Sequence, residues 1–269
     1  MPIHPTAIVS PKSEIGKDVN IGPYVIIEGN VKIGDGTFIG PFVHIQGNTE
    51  IGKNCKIFTG AIIGSIPQDL KFKGEKSYLK IGDNNTIREY VTINLATGEG
   101  QYTTVGDNNL FMAYAHIAHN CNIGNNVIIA NCGTLAGHVT VEDYAIIGGL
   151  VGVHQFSKIG AHSITGGCSK ITKDIIPFIM ADGHPAIPSG INKIGLKRRN
   201  FPAETISLLE KSYKILFRSG LNTSSALKEL EKLLPSPEIE HIIEFIKNSE
   251  RGIAKENINN LSHQGSDVW

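Results

Sequence analysis

Cysteine, tryptophan and net charge are all scarce in this sequence, and each shortage removes a class of protein. Lys plus Arg and Asp plus Glu both number 25, so the formal net charge is zero. That balance argues against a general binder of nucleic acid or of membrane surfaces. No run approaches the ~20 consecutive apolar residues that a membrane-spanning helix needs. The opening Met-Pro-Ile-His-Pro already enters the pattern described below and leaves no room for a cleavable signal peptide. A soluble, cytoplasmic protein is therefore expected. The four cysteines, Cys55, Cys121, Cys132 and Cys168, form no C-x-x-C pair. Cys55 and Cys121 fall at inward positions of the pattern and read as reduced, small hydrophobes.

What the sequence does have is an aliphatic residue, usually followed by glycine, every six residues. Ile15-Gly16, Ile21-Gly22, Ile33-Gly34, Ile39-Gly40, Ile51-Gly52 and Ile63-Gly64 keep one phase. Every sixth residue from Ile3 to Ile171 makes 29 positions, of which 24 are Ile, Leu or Val. Neither a helical period nor strand alternation makes this spacing; it is the signature of a hexapeptide parallel β-helix. Three hexapeptides complete one triangular coil, so residues eighteen apart should stack on adjacent strands. The fifth position should also face inward near a corner, and it is small or β-branched at Ala7, Val19, Val25, Thr37, Val43, Ala61, Ala115 and Val127. Glycine at the second position is expected to serve tight turns with φ > 0.

The phase breaks twice, at 65–80 and at 94–104, and both breaks read as loops thrown out from the prism, often the binding face of a solenoid. Coils resume from Val105 to about Ile171, and Pro177, Pro185 and Pro188 close them, since proline cannot donate to the ladder. From about Asn192 the spacing turns helical. One helix begins at Pro202 and ends at Gly220, another begins at Asn222 or Thr223, and a third begins at Ser236-Pro237. The expected domains are a β-helix over 1–190, an α-helical domain over 191–255 and a polar tail over 256–269.

A bare prism is only a scaffold, so the residues that depart from the repeat carry the chemistry. His116, His119, His138, His154 and His162 concentrate within a few coils. His119 projects outward, and adding eighteen places Gly137 directly beside it. An imidazole next to an unencumbered glycine N–H fits a general base beside an oxyanion donor. A competing reading is metal binding, because hexapeptide carbonic anhydrases hold zinc through three histidines at a subunit boundary, and His116, His119 and His138 would be the ligands. A non-catalytic scaffold would leave the histidine cluster without a purpose.

Five motifs in order, Pro67-Gln-Asp-Leu-Lys71, His116-Ile-Ala-His119-Asn-Cys121, Leu135-Ala-Gly-His138, Val153-His-Gln-Phe156 and Gly195-Leu-Lys-Arg-Arg-Asn-Phe201, resemble those of the UDP-N-acetylglucosamine acyltransferases. The resemblance runs from the first coil through the helical region. It implies a left-handed β-helix, a homotrimer with grooves between subunits, and the first step of lipid A biosynthesis. The implied reaction moves a 3-hydroxyacyl group from acyl carrier protein to the glucosamine 3-hydroxyl of UDP-N-acetylglucosamine, with no cofactor and no metal.

By the same resemblance His119 is the general base and Gly137 supplies the oxyanion N–H. His116, His138, His154 and Gln155 match sugar and phosphate contacts, and Asp69 and Lys71 match substrate contacts on the first loop. Asn192 and Arg199 match nucleotide-side contacts, Arg198 with Arg199 resembles a basic surface for the acidic carrier protein, and Gly167 matches the acyl-chain ruler. A 3-amino UDP-sugar is the alternative acceptor. Two positions depart from the family pattern. Asn120 stands where many members have aspartate, and Asn94 where histidine is common. Asparagine accepts the ring N–H but brings no charge to an imidazolium.

Overall fold

The computed structural model describes residues 3–255, so the expected polar tail over 256–269 lies outside the described residues. Isoleucine, leucine and valine at the repeat positions fill the inside of a three-sided prism, where Ile21, Ile39, Ile57, Ile63 and Ile87 are fully buried. The sides are sheets of nine, eight and ten short strands, parallel throughout except for the last strand of the third. The register is eighteen, as in Ile8 paired with Ile26 and Ile117 with Leu135. Across the loops it changes: Ile63 pairs with Ile93, thirty residues on, and Ile81 with Val105, twenty-four on. The insertions are thus twelve and six residues, which is why the phase survives them.

Two expectations about these loops and turns need correction. Residues 78–80, expected within the first loop, are instead part of the strand Tyr78–Ile81, paired on both sides with Leu79 and Ile81 inward. The second loop is likewise bounded by strands Thr92–Asn94 and Tyr102–Val105. Of the second-position glycines Gly64 has the expected positive φ, 78°, beside the first loop, whereas Gly16, Gly22, Gly34, Gly40 and Gly52 do not. At Gly34 a Cβ would lie 2.6 Å from the Gly52 carbonyl carbon, so glycine permits close stacking of backbones. Positive φ falls instead at the fourth position of the hexapeptide, in Asp18, Tyr24, Phe42, Asn54, Asn120, His138 and Phe156 among others. Side chains there form ladders along the corners, with Tyr24 stacked on Phe42 and Tyr90 on Tyr114.

The coils end in a hairpin, Ile179–Gly183 with Ala186–Ile191, that adds to the third sheet. Pro188 lies in its outer strand, where a missing donor costs no ladder bond. Four helices follow: α1 (Lys193–Arg198), α2 (Ala203–Phe217), α3 (Thr223–Glu231) and α4 (Pro237–Lys247). Asn222 and Ser236 cap α3 and α4 with their side chains, as their sequence positions suggested. Burying Leu209, Leu230, Ile239 and Ile242 joins the helices to one another. His241 on α4 donates to Glu142 of the prism at 2.8 Å, and Lys158 reaches the Asn248 carbonyl at 2.7 Å.

Candidate active site

The corner after the first sheet carries His119 at the third position of one hexapeptide and Gly137 at the third position of the next coil. His138 N–H donates to the His119 carbonyl at 3.0 Å, which locks the two coils together here. The His119 ring lies across Gly137 so closely that it occupies the volume a Cβ would need. Among the described residues, no backbone hydrogen bond uses the Gly137 N–H. The His119 side chain is only 12% exposed, and its Nδ1 faces Asn120 Oδ1 at 2.9 Å. An amide oxygen only accepts, so Nδ1 carries the proton and Nε2 keeps its lone pair toward the cleft. Asp69 Oδ2 is 3.9 Å from that Nε2.

The cleft around this pair encloses about 850 Å³. The first loop supplies Gln68, Asp69, Lys71 and Glu75, the second Thr97 and Gly98, and the coils His116, His119, Gly137, His138, Gln155 and Phe156. The loops brace each other. Glu75 accepts from Gly98 N–H at 3.0 Å and Glu99 accepts from Lys76 N–H at 2.9 Å. Asp69 is steadied by the Lys71 N–H on Oδ1, leaving Oδ2 for the cleft. His116 shares a 2.6 Å hydrogen bond with Thr92 through Nδ1, and His138 stacks on Phe156 and meets His119 edge-on at 5.2 Å. Burial, then the neighbouring His119, lowers the pKa of both His116 and His138, although Asp69 works against this at His138. Both are therefore neutral hydrogen-bonding groups at pH 7.

The structure brings Asp69, Lys71, His116, His119, Gly137, His138 and Gln155 into one cleft. It does not bring His154, Gly167, Asn192, Arg198 or Arg199 there within a single chain. His154 is exposed and turned to the Gln155 carbonyl. Gly167 lies exposed at a different corner of the prism. Asn192 is buried, caps α1 and donates to the His162 carbonyl at 2.8 Å. Arg199 lies over the Tyr144 ring and Arg198 is exposed. Among the described residues of this single chain, no group of three or more His, Cys, Asp or Glu is placed to hold a metal ion. Thr92, Thr97, Glu75 and Phe156 are not among the expected site residues, although Phe156 ends one of the five motifs. The two loop residues among them, Thr97 and Glu75, fall where the phase is broken.

A parallel β-helix of hexapeptides with a histidine cleft at one corner defines a hexapeptide-repeat transferase. The family model described as bacterial transferase hexapeptide (six repeats) matches residues 30–65 and 102–137. That of domain 2 of UDP-N-acetylglucosamine O-acyltransferase matches 174–254. Proteins named acyl-[acyl-carrier-protein]–UDP-N-acetylglucosamine O-acyltransferase are 56% identical in Thermodesulfovibrio yellowstonii, over 255 residues, and 51% identical in Janthinobacterium sp., over 259. Each match covers 94% of this chain and 99% of the relative. The solved UDP-N-acetylglucosamine acyltransferase of Francisella novicida superposes with a TM-score of 0.94 at 37% identity, over 99% of this chain and all of the other. That of Bacteroides fragilis gives 0.91 at 48%, over 94% and 99%. The chain belongs to the acyl-[acyl-carrier-protein]–UDP-N-acetylglucosamine O-acyltransferase family, and its prism is the left-handed β-helix of those structures.

Proposed function

We propose that this protein transfers a 3-hydroxyacyl group from acyl carrier protein to the 3-hydroxyl of UDP-N-acetylglucosamine, the opening step of lipid A biosynthesis, in the cytoplasm. The observation that carries the reading is the His119 ring over Gly137, with Nδ1 held and Nε2 open to the cleft. Nε2 removes the proton of the sugar hydroxyl as its oxygen attacks the thioester carbonyl. The tetrahedral oxyanion is met by the Gly137 N–H. Collapse breaks the C–S bond, the new ester remains on the sugar, and the imidazolium returns its proton to the thiolate of the carrier. Neutral His116 and His138, with Gln155, Asp69 and Lys71, hold the sugar and its phosphates around that centre.

Of the remaining family-matched residues, His154 shares the corner of the cleft but is turned from it, Gly167 is at another corner, and Asn192, Arg198 and Arg199 lie beyond the closing hairpin, which supports a site completed by a second copy. His154, Asn192 and Arg199 would then meet the nucleotide, Arg198 the carrier protein, and Gly167 the end of the acyl chain, whose length a side chain at that position would shorten. A corner of exposed Tyr24, Phe42, Tyr90, Tyr114 and Leu150 supports the homotrimer, because contiguous exposed apolar surface marks an interface. Among the described residues no helix is long and apolar enough to cross a membrane.

The test is product mass after incubation with UDP-N-acetylglucosamine and a panel of 3-hydroxyacyl carrier proteins, alongside His119→Ala. The expected result is one acylated sugar nucleotide, lost by at least ~100-fold in the variant. No product with any donor, or product only with a 3-amino sugar, would overturn the acceptor assignment.

A further inference from the structure

Asn120 could face His119 either way round, and the two orientations have opposite chemical consequences. With Oδ1 toward Nδ1 the ring is protonated there and Nε2 is the base; with Nδ2 toward Nδ1 the tautomer reverses and Nε2 carries the proton. Aspartate, common at this position in the family, has no wrong orientation. An asparagine needs something to choose for it.

The second loop makes that choice at Thr97. Its backbone N–H donates to Asn120 Oδ1 at 2.9 Å, its hydroxyl donates to the same oxygen at 2.9 Å, and its carbonyl accepts from Asn120 Nδ2 at 3.1 Å. Two donors at one end and one acceptor at the other define which atom is oxygen. Asn120 itself is held in the left-handed region, φ 56°, and its N–H donates to Thr103 Oγ1 at 2.8 Å, so the backbone under the amide is fixed as well. The loop is in turn pinned by Glu75, whose carboxylate accepts the Gly98 N–H next along the chain.

We propose that Thr97 is a positioning residue: by gripping both ends of the Asn120 amide it sets the tautomer of His119. This rests on His119 being the base, but the orientation itself can be read without turnover.

The experiment compares Thr97→Val, which keeps the shape and removes the hydroxyl, with Thr97→Ser, which keeps the hydroxyl. Each is made in the parent and in Asn120→Asp. The readouts are kcat and KM for acyl transfer and the ¹⁵N shifts of the His119 ring, assigned against His119→Ala. In the parent, Thr97→Ser should keep a single Nδ1–H tautomer and kcat within twofold. Thr97→Val, which keeps the two backbone bonds, should shift the balance toward the second tautomer about fivefold, the factor one neutral hydrogen bond is typically worth, and lower kcat in proportion to the Nδ1–H tautomer lost, with KM for the sugar nucleotide unchanged. In Asn120→Asp, Thr97→Val should change neither the tautomer nor kcat, because both carboxylate oxygens accept. An equal loss in both backgrounds would mean that Thr97 merely supports the loop and would overturn the proposal. So would a tautomer balance that is the same in Thr97→Val as in the parent. If the parent transfers no acyl group, the enzymatic reading fails while the ring shifts still decide the role of Thr97.

Discussion

Gly137 has no room for a side chain, because the His119 ring fills the space a Cβ would take. Gly137→Ala must therefore push the imidazole out of the cleft while leaving the coil, whose inward residues are unaffected, able to form. An ångström of misplacement at a reacting group costs roughly 100-fold. The expected outcome is a kcat reduced by about that factor with nearly unchanged thermal unfolding, measured by acyl-transfer kinetics and calorimetry on the same preparation. This contact was legible before any coordinates, since it needs only a period of eighteen and the position of one histidine. Thr97 was not. Subtracting eighteen from Asn120 points to Tyr102, but at this corner the register has become twenty-four and the chain has left the prism. Polar residues in an insertion have no phase from which a neighbour can be computed.

Where the helices meet the prism, two histidines carry opposite responses to pH. His162 is sandwiched between Tyr144 and Phe178 with Phe201 edge-on, and burial, aided by Arg199 and opposed by Asp143, pushes its pKa down to about 4. Its folded value lies below the ~6.5 of an unfolded chain. Its contribution is therefore complete above that pH and is lost as pH falls toward about 4. His241 is the reverse. Its hydrogen bond to Glu142 raises its pKa, so its contribution is present below ~6.5 and fades as pH rises through the raised value. His162→Phe keeps a ring in the stack and removes the acid-side loss. At pH 5 it should unfold roughly 2–4 °C above the parent, corresponding to about 1 kcal/mol after allowing for partial solvent screening, and at pH 8 the two should nearly coincide. A lower melting point at pH 5 would refute this. Helices α2, α3 and α4 were readable from their caps and apolar spacing, because a cap is local chemistry; α1, six residues long, was not. The strand Tyr78–Ile81 and the closing hairpin were not, because pairing across a broken register is a tertiary event that leaves little trace in four or five residues.

At the scale of the molecule, the corner bearing Tyr24, Phe42, Tyr90, Tyr114 and Leu150 leaves each of these side chains at least half exposed. If copies associate through it as the proposed homotrimer, a charge placed there has no water to face. Phe42→Glu combined with Tyr90→Glu should convert the assembly to particles of one third the parent mass by light scattering, with acyl transfer lost and circular dichroism retained. Unchanged mass would place the interface elsewhere. The prism was legible as a whole because twenty-four aliphatic residues repeat one inward demand. The apolar corner was not, because the fourth position accepts Asp, Asn, Tyr, Phe, Leu and His alike.

That tolerance has a further consequence. At corner after corner an ordinary L-residue is held in the left-handed region, where each is disfavoured by roughly 1–2 kcal/mol relative to its relaxed state. A single turn of the chain cannot offset that alone; only the backbone ladders and ring stacks to the turns above and below can. The carboxyl-terminal end of the stack is covered by the hairpin and helices, whereas at the other end the inward-position Ile3 is exposed and Val9 and Ile15 are only partly buried. The molecule is thus a column that cannot begin from one storey, and its uncovered foot is where the loss of storeys should start.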